Sequence, residues 1–177
     1  ATSFNQPLNN WNVSNVTTMY RMFYIASSFN QPLNNWNVSN VTNMSSMFHT
    51  ASSFNQPLNN WNVSNVTTMV AMFQNATSFN QPLNDWNVSK VTNMYRMFRN
   101  ATSFDQDISN WNVSNVTNMT EIFYSAGLST PNYDQLLKKW SLLNLQSDVS
   151  FHAGSSKYCL GEDPRKNILI GKYNWSI

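Results

Sequence analysis

Few residues in this chain have the types and spacing that catalysis needs. Histidine occurs only at His49 and His152, and neither has a repeated acid or serine partner nearby that would pair a nucleophile with its base. The 4 glycines form no phosphate-binding loop, and Cys159, the single cysteine, excludes an internal disulfide. The sequence therefore predicts a protein that is not an enzyme and that uses no cofactor.

Two acidic residues form the one candidate for a metal site. Asp105 and Asp107 lie in a loop that reads Asp-Gln-Asp-Ile-Ser, where most other repeats read Asn-Gln-Pro-Leu-Asn. Two carboxylates at this spacing can share a hard cation, but a calcium site usually takes about six or more oxygen ligands. A solvated loop is the favoured interpretation, and no metal is predicted.

Tyrosine and arginine at variable repeat positions are the first candidates for a binding site. Three positions of the repeat change chemistry from copy to copy, so they cannot all fill the same place in a core. We place them on the outer side of a predicted helix, opposite the methionines. Tyr and Arg are favoured anchors of interfaces, although a solvated face is the alternative interpretation. The candidates on this helical face are Tyr20, Arg21, Tyr24, Tyr95, Arg96 and Arg99.

A uniform set of polar residues forms the second candidate surface. These Asn and Ser residues flank an inward valine of a predicted strand, so their side chains should point outward. The structural interpretation is a set of asparagine ladders along the stack. The functional one is a grid that meets a repetitive glycan or ice, although the threonine column is better used in helix caps. The candidates on this strand face are Asn37, Ser39, Asn62, Ser64, Asn87 and Ser89.

The elements that must position these residues follow from a strict period of 25 residues. Such a period is typical of stacked-repeat proteins. Within each copy, Leu-x-x-Trp-x-Val fits a short strand, and Met-x-x-Met-Phe-x-x-Ala has the spacing of one helical face, with Thr42 or its equivalent as N-cap. The sequence therefore predicts an α/β solenoid, a leucine-rich-repeat-like, right-handed stack of strand–helix coils. The coils start at Trp11, Trp36, Trp61, Trp86 and Trp111.

Two regions are predicted. Residues 1–125 form the repeat solenoid, beginning with a partial coil, and residues 126–177 form a small α/β C-terminal cap over the last coil. A Pro in the first turn supports the first helix of the cap. The cap is predicted to contain a helix from Thr130 and Pro131, a strand through Val149 and Phe151, a short helix from Asp163 and Pro164, and a last strand at Trp175 and Ile177.

Charge and hydropathy exclude two classes of partner. Charged residues make up 10% of the chain, and the net charge is +2 without a cluster of Lys or Arg. A nucleic-acid surface needs such a cluster to replace counterions, so no nucleic acid is predicted. Insertion into a membrane is not expected either, because no apolar stretch reaches about 18 residues.

The repeat Trp-Asn-Val-Ser-Asn-Val-Thr-Asn-Met-x-x-Met-Phe closely resembles the repeats of BspA-like surface proteins of bacteria. The resemblance covers residues 1–125, and the segments 132–140 and 153–159 look like the part that closes such arrays. It implies a leucine-rich-repeat-like fold, a secreted or cell-surface location and a role in adhesion or protein–protein contact. It implies no catalytic residues.

Together these features predict a non-catalytic binding or adhesion module. An extended face of the solenoid would meet a protein or glycan of a host or a neighbouring cell. Two alternatives remain open. One is a structural protein that forms fibres by end-to-end self-association at an exposed edge, and the other is a binder of ice or of a repetitive glycan lattice.

Overall fold

The computed structural model describes residues 2–160 and 162–177. Through the repeats, backbone hydrogen bonds join residues of adjacent coils. The N–H of Met19 donates to the carbonyl of Asn43 at 2.8 Å, and the equivalent bonds of the later coils are 2.8 to 3.1 Å long. Each coil therefore lies on the next in one constant register, as in other stacked-repeat proteins.

The predicted α/β solenoid of leucine-rich-repeat-like strand–helix coils is wrong. Within the described residues, positions 2–125 form turns and loops, with no helix and no strand longer than a single bridge. Adjacent coils meet at isolated parallel bridges instead of a continuous sheet. The bridges in the repeats are Thr18–Asn43, Asn43–Thr68, Thr68–Asn93 and Asn93–Asn118.

The predicted helix of each coil is a series of tight turns. Arg21 and Ile25 both have a φ of 57°, and the equivalent residues of every later coil are also left-handed. A right-handed helix cannot run through such residues. The N–H of Met22 bonds back to Met19, whereas the N–H of Phe23 donates to the next coil. Alternate N–H groups therefore bond to the next coil, whereas in a helix they would all bond within the same helix.

The helical spacing still identifies the buried side of this segment. In the second coil the two methionines, the phenylalanine and the alanine of the pattern are all 0% exposed. Chain reversals four residues apart bring those positions to one side, much as a helix would. The predicted N-cap is absent, because the Thr42 hydroxyl donates to the Thr17 carbonyl of the preceding coil at 3.2 Å.

The predicted strand is replaced by a turn that keeps the predicted alternation of side chains. The N–H of Trp36 donates to the carbonyl of Leu33 at 3.1 Å, which is a bond within a turn. Trp36 and Val38 are buried and Asn37 is exposed, as an alternating strand would place them. The Trp36 indole N–H donates to the Leu8 carbonyl at 2.9 Å and so ties this turn to the preceding coil.

Aromatic rings fill the core in columns that run along the stack. Phe48 and Phe73 stack with their centroids 5.6 Å apart and their planes 5° apart, and Trp36 and Trp61 stack at 6.4 Å and 2°. The tryptophans that lead the second to fifth coils are at most 3% exposed, whereas Trp11 of the first coil is 57% exposed. Tryptophan is therefore a core residue wherever a preceding coil covers it.

The segment after the repeats contains both helices of the described residues. The helix α1 spans Thr130–Trp140 and buries one apolar side, as predicted. A π-helix spans Pro164–Ile170, where the second short helix was predicted. The two predicted strands are wrong, because Met119–Phe151 and Ser150–Ser176 are isolated bridges. Neither helix is long and apolar enough to cross a bilayer.

Candidate functional site

The six candidates predicted for a helical face lie instead on a surface made of turns, which we call the turn face. It comprises the repeat positions equivalent to Tyr20, Arg21 and Tyr24 in each coil. The second of these positions is left-handed in all five coils, with φ between 53° and 58°. Because the backbone conformation is the same in each copy, chemical differences between copies change the surface without changing the turn.

Arg21 lies between two tyrosine rings. Its guanidinium carbon is 5.0 Å from the ring centre of Tyr20 and 4.9 Å from that of Tyr24, which is the geometry of cation–π contacts. The His49 ring of the next coil stacks on Tyr24 at 4.8 Å. Within the described residues no carboxylate forms an ion pair with Arg21. The first coil therefore presents an arginine that is held in place by aromatic rings and is not neutralised.

The second group of candidates is paired with an acidic residue that was not among them. Glu121 accepts a hydrogen bond from the Arg96 Nε at 2.8 Å, and the Arg99 guanidinium bonds the same carboxylate oxygen. The hydrogen bond from Arg96, with the positive charges of both arginines, holds the pKa of Glu121 below its usual value. Arg96 also lies over the Tyr95 ring at 4.5 Å. The sequence signal for this pair was an acid 25 residues after an arginine.

His49 is the histidine of the turn face. Partial burial lowers the pKa of His49 below its ordinary value, and the positive charge of Arg21 acts in the same direction. The His49 Nδ1 is within hydrogen-bond distance of the Thr50 hydroxyl, at 2.9 Å. Burial and the Arg21 guanidinium thus both favour the neutral form of this imidazole.

The asparagine and serine candidates do form a regular outward surface, which we call the polar face. Asn37 is exposed and its side-chain oxygen accepts the N–H of Ser39 at 3.1 Å. The same bond, also at 3.1 Å, joins Asn62 to Ser64 and Asn87 to Ser89. These side chains stabilise turns within their own coils, so the asparagine ladder predicted at this position is wrong.

An asparagine ladder occurs instead in the return loops. The side-chain oxygen of Asn30 accepts the N–H of Asn55 from the next coil at 2.9 Å and the side-chain amide of Gln56 at 3.0 Å. Equivalent bonds run through the other return loops. This ladder explains why the dipeptide Asn-Gln recurs in the return loops, a regularity that sequence reasoning left unexplained.

Asp105 ends this ladder and holds the segment that follows the repeats. Its N–H donates to Asn80 as in other coils, while its carboxylate accepts the Ser129 N–H at 2.8 Å and the Asn132 side-chain amide at 3.0 Å. Burial acts to raise the pKa of Asp105, but these hydrogen bonds outweigh it, and the pKa lies below its usual value. Asp105 therefore supports the start of α1 with the same kind of bonds that the asparagines make between coils.

Asp105 and Asp107, the weak candidates for a metal site, are not joined by a third metal-ligating side chain of the described residues. The Asp107 carboxylate accepts the N–H of Ser109 at 2.8 Å, a turn-stabilising bond within its own loop. Within residues 2–160 and 162–177, no group of three or more His, Cys, Asp or Glu side chains could hold a metal ion. The two acids of this loop are thus accounted for by backbone contacts.

The remaining residues with reactive side chains have local structural contacts. The Nδ1 of His152 accepts the N–H of Gly154 at 3.0 Å. Cys159 is exposed at a cleft of about 640 Å³ between α1 and the segment before the π-helix, and its N–H donates to the Asp134 carboxylate at 3.0 Å. The residues lining this cleft include no histidine that could act as a base for the thiol.

The constant register between coils defines the class of protein as a stacked-repeat protein with a separate closing segment. The chain matches the model of a family described as "Mycoplasma protein of unknown function, DUF285", over residues 1–82 and 56–158. These matches extend through all the repeats and through α1, and the chain belongs to this family. Comparison with curated proteins and with solved structures found no match.

Proposed function

We propose that this chain is a non-catalytic binding or adhesion module of a BspA-like bacterial surface protein, and that it holds its partner on the turn face. The observation that carries the proposal is the pattern of variation between coils. Core positions repeat almost unchanged, whereas the turn-face positions, most of which are at least partly exposed, change between Tyr, Arg, Ser, Val, Ala, Thr, His, Gln and Glu. Packing needs no such variety, but selective recognition of one partner does.

The polar face is the weaker candidate for recognition. Its asparagine oxygens already accept backbone N–H groups of their own coils. The neighbouring threonine hydroxyls donate to carbonyls of the preceding coil at 3.2 to 3.3 Å. Most of the polar side chains that a ligand would meet there already make a hydrogen bond within the protein. We therefore rank a lattice binder of ice or repetitive glycan below a protein or glycan partner on the turn face.

The proposed location is the bacterial cell surface or the medium around the cell. It rests on the resemblance of the repeat to BspA-like proteins, with which membership of the DUF285 family is consistent. The partner would then be a protein or glycan of a host or of a neighbouring cell. A long array with one exposed variable surface suits such a role, because it spreads several contacts over a large partner.

End-to-end self-association is the second candidate function. Trp11, Met22 and Ile25 of the first coil are 57%, 38% and 39% exposed, which gives that end of the stack an apolar surface. The other end is covered, since Phe123 of the fifth coil donates its N–H to His152 and Phe151 packs against its ring. A fibre of identical chains would have to displace this covering, so we rank it second. Light scattering at high protein concentration tests it, and a monomer would remove it.

An array of host proteins and glycans, probed with the purified protein, tests the main proposal. The variant Tyr20→Ala/Arg21→Ala should lose most binding to any partner found. The matched variant Ser39→Tyr/Ser64→Tyr, which alters the polar face, should retain it. The opposite pattern would assign binding to the polar face, and turnover of any arrayed glycan would contradict a non-catalytic role.

A further inference from the structure

We propose that Arg21 receives a glutamate or aspartate side chain of a partner protein, in the same relation to the coil that Glu121 has to Arg96. This inference rests on the proposed function and adds the chemistry of the contact. It is carried by a comparison of two coils of the same chain, one of which already holds a carboxylate.

The first and fourth coils share the same local sequence, Tyr-Arg-Met-Phe, beginning at Tyr20 and at Tyr95. Arg21 and Arg96 have φ values of 57° and 58°, and their N–H groups donate to the next coil at 3.1 and 3.0 Å. Each guanidinium lies over the ring of the preceding tyrosine. The two arginines therefore share a backbone conformation and a stacking contact with the preceding tyrosine, and Arg21 lies over Tyr24 as well.

The fourth coil shows how this surface holds a carboxylate. Glu121 is 25 residues after Arg96, in the equivalent position of the next coil, and accepts its Nε at 2.8 Å. The arginine is half-buried, so its charge is only partly screened by water and the pair has a defined geometry. The turn face thus binds one acidic side chain within the chain itself, through Arg96 and with Arg99 on the same carboxylate oxygen.

The first coil has the same arginine without the acid. The residue 25 positions after Arg21 is Ser46, whose φ of 55° matches the 57° of Glu121. The serine side chain is too short and carries no charge to neutralise the guanidinium. A carboxylate from another molecule can therefore approach Arg21 from the side on which Glu121 lies beside Arg96.

The surroundings of Arg21 favour a protein as the source of this carboxylate. Tyr20 is 51% exposed and its ring lies against the Arg21 guanidinium, so an aromatic and a charged group lie together at this surface. Tyr and Arg are among the residue types enriched at protein–protein interfaces. Two rings already hold the Arg21 side chain, which lowers the conformational entropy lost when it binds.

The test uses a labelled peptide with two glutamates between tyrosines, and the same peptide with glutamines, in fluorescence polarisation at low salt. The whole protein should bind the glutamate peptide more tightly than the glutamine peptide. Arg21→Gln should weaken binding about tenfold or more, as expected for loss of a charged hydrogen-bond partner. Ser46→Glu should cause a similar loss, because the new carboxylate would occupy Arg21.

The chain supplies both a matched control and a gain-of-function variant. Arg96→Gln should leave peptide affinity unchanged, because Glu121 already occupies that arginine in the folded protein. Glu121→Ser should expose Arg96 and Arg99 and raise the number of peptides bound per chain from one to two. Thermal unfolding shows which variants are folded, and peptide affinities are compared only among those.

The inference fails if both peptides bind equally, or if Ser46→Glu binds the glutamate peptide as well as the unchanged protein does. Binding of an oligoglucuronate that depends on Arg21, without binding of the glutamate peptide, would also overturn it in favour of an acidic glycan. These outcomes would overturn the inference about Arg21 but not the proposed function. That function would still be supported if other turn-face variants lose binding to a partner found on the array.

Discussion

At the scale of single residues, the left-handed conformation decides which side chains reach the surface. Two positions in every coil have positive φ without being glycine, which makes ten such residues in the five coils. Such residues carry a backbone strain of roughly 1 to 2 kcal/mol, which Asn relieves better than most others because of its short polar side chain. Asn75 and Asn100 fill one of these positions, but Ile25 fills it in the first coil.

Replacing Ile25 should therefore increase stability. Ile25 is 39% exposed and β-branched, so Ile25→Asn should relieve strain at the cost of little apolar burial. We expect the free energy of unfolding in urea to rise by about 1 kcal/mol. Ile25→Val, which keeps the branched side chain, is the control and should show no gain. Equal stability of the two variants would contradict the idea that strain is stored at this position.

The buried indole bond is a second residue-scale feature. Trp86 is 3% exposed and its indole N–H donates to the Leu58 carbonyl at 3.0 Å. Trp86→Phe should lower the free energy of unfolding by about 2 to 3 kcal/mol, because the Leu58 carbonyl keeps only the Trp61 N–H as donor and a space is left in the core. Trp11→Phe, at a position 57% exposed, should change it by less than about 0.5 kcal/mol. A similar cost at both positions would show that the indole bonds do not join the coils.

At the scale of elements, α1 is attached to the repeats through Asp105. The pKa of this carboxyl is lowered in the folded protein, so its contribution to stability is present above the unfolded pKa, for which the usual value is 3.8. That contribution is lost as the pH falls below 3.8 and through the lower pKa of the folded state. Asp105 therefore contributes its full stabilisation of the α1 attachment at neutral pH.

Substitution of Asp105 should remove this acid sensitivity. We expect Asp105→Asn to be less stable than the unchanged protein at pH 7, and the difference to shrink as the pH approaches 2, as measured by urea unfolding across that range. Asp85→Asn is the control, because Asp85 is an exposed acid in an ordinary return loop. If Asp85→Asn reduced the loss of stability at low pH as much as Asp105→Asn does, the Asp105 carboxyl would not be the source of that loss.

At the scale of the whole molecule, stability is shared among nearly equal coil-to-coil contacts. Each interior coil is bonded to the coils before and after it, and the register between neighbours is constant. In such an array the free energy of unfolding is approximately a sum over coils and over the interfaces between them. Removal of one whole coil should therefore shorten the stack without disturbing its order.

Deletion of residues 61–85 tests this view. It joins the second coil to the coil led by Trp86 at a junction like the natural one, so the protein should fold, unfold in a single transition and lose some stability. Deletion of 12 residues from the same region, about half a coil, should prevent cooperative unfolding because it breaks the register. Circular dichroism during urea titration distinguishes the two. Failure of the whole-coil deletion to fold would contradict a stack of equivalent coils.

The sequence by itself determined the period, the buried columns and the position of α1. Trp36 and Val38 were predicted to face inward and Asn37 outward, and they do. These inferences succeed because the side of a coil that faces the core must be apolar, whatever conformation its backbone adopts. The same positions are therefore apolar in each 25-residue copy.

Only the tertiary structure decided the backbone conformation and the pairing on the turn face. Apolar residues at i, i+3, i+4 and i+7 arise both from a helix and from successive turns. The choice depends on whether the N–H groups bond within one coil or to a coil about 25 residues away. The same long-range contact brings Glu121 to Arg96 and Ser46 to the side of Arg21. Local spacing carries no signal for such partners, because stacking alone brings them together.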